Sequence, residues 1–169
     1  MQNASNRSFH IREMKLEDIP AVYALGEAVF TADKWPSLYR TWDEYEPITL
    51  FSTDGDFCFV AEYQDRVAGF ALGSLIDKRK SAWSYGYLTW LAVDSELKRL
   101  GIATQLIDAI TEAYIRAGAR MMIVDTDAEN ATAISFFRRH GFRDEDRHVY
   151  LSKNLTDHPG YRRLRRRKD

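Results

Sequence analysis

No stretch of this sequence stays apolar long enough to cross a bilayer. Its strictly apolar runs are short ones such as FCFVA at Phe57–Ala61, against the ~18 residues that a spanning helix needs. The opening residues MQNASNRSFH hold no apolar stretch of the kind a secretory signal requires. That points to a cytoplasmic protein, with no membrane partner, whose residues 1–8 are flexible. Cysteine is all but missing. Cys58 is the single one, so no internal disulfide can form, and its place in an apolar strand pattern makes it a packing thiol rather than a nucleophile. His10, His148 and His158 are scattered and share no metal-ligand spacing, so no metal is expected.

What is present suits one globular domain. A chain of 169 residues buries roughly 70% of the surface that its unfolded form exposes. Hydrophobic residues at 45% and aromatics at 13% supply a core and exclude global disorder. The net charge of −1 conceals an asymmetry: residues 156–169 hold six cations, from Arg162 to Lys168, against Asp157 and Asp169. That segment carries +4, which leaves −5 on residues 1–155. The division expected is a flexible start at 1–8, a folded domain at 9–155 and a basic tail at 156–169. Such a tail reads either as a solvated end or as a contact for nucleic acid or a ribosome. No repeat, low-complexity linker or further boundary is visible.

Phe9–Met14 reads as a first strand, followed by a helix in which Ile19, Val22, Gly26 and Val29 recur at helical spacing. Residues 30–51 mix aromatics, acids and two prolines and read as a broken or second helix with loops. Phe57–Tyr63 and Val67–Ile76 form a hairpin pattern around Gln64–Asp65–Arg66. Tyr87–Val93, YLTWLAV, is apolar on both faces, as in an interior strand. Ile102–Ala117 carries a stripe of Ile102, Leu106, Ile110, Ala113 and Ala117 that Gly118 stops. Arg120–Asp125 is a strand again, and the βαβ unit so formed requires parallel strands within a mixed sheet. Asn130–His140 is a short helix ended by Gly141, and Val149–Leu155 reads as a last strand.

The string LAVDSELKRLGIATQL joins the interior strand to the strongest helix through a turn holding Gly101 and the small Ala103. Small residues there let main-chain N–H groups approach a ligand, and the first turn of a helix suits a pyrophosphate. Lys98 and Arg99 add positive charge. The turn alone could equally be a tight connection. It is neither G-x-G-x-x-G after a first strand nor a phosphate loop ending in G-K-[ST], which excludes those dinucleotide and phosphoryl-transfer sites.

A second segment, NATAISFFRRHGF at Asn130–Phe142, makes the turn specific. The pair resembles the signatures of the GNAT superfamily of N-acetyltransferases, [QR]-x-x-G-x-[GA] and N-x-x-A-x-x-F-Y-x-x-x-G-F. Lys98, Gly101 and Ala103 fall on the first, with lysine in place of Gln or Arg, and Asn130, Ala133, Phe136, Gly141 and Phe142 fall on the second. The resemblance implies an α/β (α+β) fold: a mixed six- to seven-stranded sheet flanked by about four helices, with a splayed parallel strand pair at Tyr87–Val93 and Arg120–Asp125. It also implies acetyl-CoA as co-substrate. Leu91, Ala92 and Val93 would pair with its pantetheine arm, with an N–H of Leu91 or Ala92 at the thioester oxygen. Lys98, Arg99, Leu100, Gly101, Ile102, Ala103 and Thr104 would cradle its pyrophosphate, and Asn130 and Phe137 would line the arm. Asn130 fits a helix N-cap equally well, and Phe137 fits core packing.

Direct transfer needs a base for the amine and can use an acid for the thiolate. The family's usual tyrosine is here Phe137, which donates no proton, although a thiol near pKa 8.5 leaves tolerably without help. Family comparison offers Tyr87 and Asp125 as base or relay and Tyr150 as a further donor. The alternatives are that Tyr87 packs and that Asp125 orders the loop Thr126–Glu129. The acceptor is expected between Phe30–Phe51 and Arg147–Leu151, where Trp35, Tyr39, Trp42 and Tyr45 with Asp33, Asp43, Glu44 and Glu46 either receive a cationic amine or roof the core. Protein N-termini, lysines, polyamines and amino-sugars all stay open as acceptors, as does a homodimer. A non-catalytic acyl-CoA sensor acting through a protein partner is the alternative to the enzyme.

Overall fold

The computed structural model describes residues 8–31, 41–77, 83–146, 149 and 151–165. Strand β1 (His10–Glu13) leads through a 3-10 turn into helix α1 (Ile19–Val29). Asp18 fixes this corner. Its carboxylate accepts the Lys15 N–H at 2.7 Å and both arms of the Arg12 guanidinium at 2.6 and 2.9 Å, and Arg12 also reaches Glu62 at 2.8 Å. Hydrogen bonding from Arg12 holds the Asp18 carboxyl below its ordinary range.

Helix α2 (Tyr45–Asp54) follows, and then the hairpin of β2 (Cys58–Tyr63) and β3 (Arg66–Asp77). Its turn is tighter than the sequence suggests. Gln64 and Asp65 both take positive φ, +51° and +59°, which is the two-residue turn that matches strand twist, so Arg66 pairs with Tyr63 inside the ladder. Strand β4 (Ser84–Val93) runs antiparallel to β3, and β5 (Met121–Val124) runs parallel to β4 after helix α3 (Ile102–Arg116). The sheet order is β1-β2-β3-β4-β5. Helix α4 (Ala131–Arg139) follows β5, and α5 (Pro159–Arg165) ends the described chain.

Two helices close with the hydrogen-bond pair of a glycine stop. Ala119 and Gly118 donate to Tyr114 and Ile115 carbonyls behind α3, and Phe142 and Gly141 donate to Phe137 and Arg138 carbonyls behind α4. Each face of the sheet has its own core. Leu88, Ala71, Leu106, Ile110 and Phe137 pack beneath α3 and α4, while Val22, Trp42, Phe70 and Trp90 pack beneath α1 and α2. Tyr114 lies flat on the first face because Gly73 and Gly86 leave room for it: a Cβ at Gly86 would stand 2.3 Å from its ring.

One expectation changes. The sheet has five strands among the described residues rather than six or seven, because Val149 and residues 151–155, the described part of the expected last strand, form none. Residues 151–154 are irregular and Leu155 opens a 3-10 turn. Val149 and Leu151 are 82% and 92% exposed, so their β-branched and alternating pattern finds no strand edge to pair with, and pairing is what makes such a pattern a strand. Among the described residues there are five α-helices, the last of them, α5, within the basic segment. No helix among the described residues is long and apolar enough to cross a membrane.

Candidate active site

The sheet opens between β4 and β5. Their parallel ladder runs from Tyr85↔Met121 to Leu88↔Val124 and ends there, while β4 continues to Val93 against β3 alone. At that point β4 carries a bulge. Gly73 pairs with Leu88 but Leu72 with Trp90, so Thr89 is an extra residue. The bulge reverses the faces: Leu88 packs under α3, and then Trp90 and Ala92 turn to the α1 side while Leu91 and Val93 face α3 and α4.

Main-chain direction follows by alternation. Asp94 donates its N–H to Ala68 of β3 at 2.9 Å, so Ala92, two residues back, also turns its main chain toward β3. Leu91 and Val93 turn theirs toward the open edge.

Beyond β4, Asp94 caps a 3-10 turn by accepting the Glu96 N–H at 3.0 Å, and the chain then enters α3 through two left-handed residues. Arg99 has φ +68° and Gly101, the N-cap of α3, +85°. No side chain caps this helix, and a Cβ at Gly101 would meet nothing within 4 Å. Open space before the first-turn N–H groups, with exposed Lys98 and Arg99 beside it, fits an anionic group. Ile102 is in contrast buried, at 1% exposure, so of that residue only the main chain can serve.

Tyr87 and Asp125 come together although 38 residues apart. The Tyr87 hydroxyl donates to Asp125 Oδ1 at 2.6 Å, where the two strands begin to part. Asp127 helps to order the loop after Asp125: its carboxylate accepts the Glu129 N–H at 2.8 Å and its carbonyl accepts the Asn130 N–H at 2.9 Å. Asn130 is an N-cap, taking the Ala133 N–H at 3.1 Å and donating through Nδ2 to Thr126 at 3.2 Å. Phe137 is buried between Phe136 and Phe142, at ring distances of 5.4 Å from each. Tyr150 lies outside the described residues.

On the opposite side Trp42 is a core residue. Its ring stacks on Phe70 at 5.4 Å, its Nε1–H donates to the Tyr23 carbonyl at 3.0 Å, and Gly26 leaves the space it occupies. Glu46 accepts the Trp90 indole at 2.7 Å. Asp43 accepts the N–H groups of Tyr45 and Glu46 at the start of α2, and Tyr45 stands exposed. Asp33, Trp35 and Tyr39 lie outside the described residues. Cys58 is buried, and burial pushes its thiol up to about 12, so it supplies no thiolate near neutrality. Among the described residues no group of three or more His, Cys, Asp or Glu is placed to hold a metal ion.

Three residues of the site left no trace in sequence patterning. Asp127 stands unremarked beside Asp125, Tyr114 donates its hydroxyl to the Tyr87 carbonyl at 2.8 Å, and His140 reaches Thr104 across 36 residues.

The sequence model of the acetyltransferase (GNAT) family matches residues 28–142. N-alpha-acetyltransferase 30 of Schizosaccharomyces pombe is 33% identical over 102 residues, which are 60% of this chain and 67% of that one. Among solved structures, an aminoglycoside acetyltransferase from an uncultured soil metagenomic sample, in complex with trehalose, superposes with TM-score 0.68 and 24% identity, covering 87% of this chain and 96% of that one. The NatC complex bound to Gag peptide and CoA superposes with TM-score 0.71 and 18% identity, covering 85% and 91%. These two structural likenesses speak to the fold.

Proposed function

From the premise that this chain belongs to the acetyltransferase (GNAT) family and is an N-acetyltransferase, we propose that it moves the acetyl group of acetyl-CoA directly to the α-amine of a peptide or protein N-terminus. The observation that carries the catalytic part is the Tyr87–Asp125 hydrogen bond at the mouth of the strand gap. The acceptor class rests on the likeness to N-alpha-acetyltransferase 30.

Acetyl-CoA supplies an activated thioester, and the chain's own residues do the rest. The uncapped first turn of α3, with Lys98, Arg99 and Gly101, holds the pyrophosphate. The open-edge groups of Leu91 and Val93 pair with the pantetheine arm. Alternation favours Leu91 over Ala92 as the N–H donor to the thioester carbonyl oxygen, where negative charge grows during transfer. Asn130 orders the start of α4 beside the arm, and Phe137 shapes that wall from within the core.

Protons move at Asp125. A carboxylate offers about four lone-pair sites, so accepting the Tyr87 hydrogen bond leaves it ionised and able to take a proton from the attacking amine, directly or through a water. Tyr87 then orients the carboxylate. With Phe137 unable to donate, the thiolate departs unassisted or with a proton from Tyr150. Because Cys58, the single cysteine, is fully buried in the core beneath α1 and α2, an acyl-cysteine route has no accessible thiol, which supports direct transfer in a ternary complex. A pure sensor would not need an acid and a phenol paired at the gap.

The acceptor class is tested by free-thiol release with unacetylated peptides, the same peptides with blocked N-termini and a free lysine, polyamines and amino-sugars. Turnover confined to free N-termini is the expected result. Turnover with small amines or blocked lysine peptides alone would refute the acceptor class and leave the acetyltransferase standing.

A further inference from the structure

His140 closes α4, and its ring is held from two sides. Nδ1 lies 2.8 Å from the Phe136 carbonyl oxygen and Nε2 lies 3.2 Å from Thr104 Oγ1 on the first turn of α3. The ring also packs at a 39° tilt against Phe136 with centroids 4.3 Å apart. A carbonyl oxygen can only accept, so Nδ1 carries a proton. In the neutral ring Nε2 is then an acceptor, and the Thr104 hydroxyl donates to it. Thr104 follows Ala103 in the turn whose N–H groups no side chain caps.

The consequence concerns the donor's phosphates. The turn before α3 and the end of α4 belong to separate βα segments, and this is a side-chain bond that joins them. A hydroxyl free to rotate in the first turn of a helix can fold back on local main-chain groups and compete for them. Held by His140, it cannot.

We propose that His140 is a positioning residue for the phosphate end of acetyl-CoA: by holding the Thr104 hydroxyl it keeps the first turn of α3 open and fixes its distance from α4. This rests on the acetyl-CoA reading of the turn. Four variants test it: Thr104→Val removes the hydroxyl, Thr104→Ser keeps it, His140→Phe keeps the ring without its nitrogens, and the fourth combines Thr104→Val with His140→Phe. Calorimetry with CoA should show Thr104→Val and His140→Phe each weakening binding about fivefold, the worth of one net hydrogen bond. The double variant should be no weaker than either single one, and Thr104→Ser should stay within about twofold of the parent. Ring 15N shifts of His140 should report Nδ1 protonated and Nε2 bare. Acetyl-pantetheine, which lacks the nucleotide phosphates, should serve as donor equally well with His140→Phe and the parent.

Unchanged CoA affinity in Thr104→Val would overturn the proposal even if His140→Phe does not fold. Equal losses with both donors, or additive losses in the double variant, would also overturn it. A parent chain that does not bind CoA at all would instead remove the acetyl-CoA reading on which it stands.

Discussion

At Tyr87 and Asp125 two side chains that sequence comparison could only nominate meet at 2.6 Å, with the phenol donating and the carboxylate accepting. On the proposed mechanism, in which the Asp125 carboxylate takes the amine's proton and the Tyr87 phenol orients it, Asp125→Asn should lower turnover about a hundredfold, within the usual range for general-base loss. Tyr87→Phe should cost about tenfold. Both should bind acetyl-CoA as the parent does, measured by calorimetry beside steady-state rates, and two fully active variants would contradict the assignment. Asp18 is a residue of a different kind, buried and bound to Arg12 far from the chemistry. Its removal leaves Arg12 short of a partner, so Asp18→Asn should destabilise by about 3 kcal/mol in urea unfolding at pH 7. The Asp18 carboxyl is lowered on folding, so its contribution is complete above the unfolded value near 3.9 and fades as pH falls through the lower folded one. The stability gap between parent and variant should therefore be full at pH 5 and above and shrink toward zero in strong acid.

Among the elements, β4 decides whether there is a site. Thr89 is the extra residue of its bulge, and the packing faces before and after Thr89 are those of a strand from which one residue could be taken out: Leu88 faces α3, Trp90 faces α1, and Leu91 faces α3 again. Deleting Thr89 should thus leave β3 and β4 paired in continuous register and the protein folded, with β4 no longer parting from β5. Far-ultraviolet circular dichroism should be unchanged while stabilisation by CoA disappears, and retained binding would show that the gap does not depend on the bulge. The helices on either side were legible from the start. Gly118 and Gly141 take φ +81° and +91°, as helix stops require, and Asn130 caps α4 as its type suggests. The bulge was not legible, because YLTWLAV is apolar on both faces and shows no break where its register slips.

Over the whole molecule, ligand binding couples to folding. CoA at 100 times its dissociation constant should stabilise the chain by about 2.7 kcal/mol, or about 5–10 °C in melting temperature for a domain of this size, and a flat melting curve would sink the acyl-CoA site. The basic segment stands apart from that coupling. Leu155, Tyr161 and Leu164 are 63%, 38% and 66% exposed, so deleting residues 160–169 should leave both melting temperature and CoA binding unchanged. If the segment attaches the protein to nucleic acid, the same deletion should abolish that affinity.

The sequence by itself determined the order of strands and helices through Phe142, the parallel pair, the glycine turn into α3 and the family, because these rest on local periodicity, on turn chemistry and on short motifs a few residues long. Only the tertiary structure decided that Asp125 meets Tyr87, that Asp127 takes part in ordering the following loop, that Leu91 and Val93 face the gap, and that His140 holds Thr104. Each depends on which strand lies beside which and in what register, and a one-residue slip at Thr89 is enough to exchange the faces.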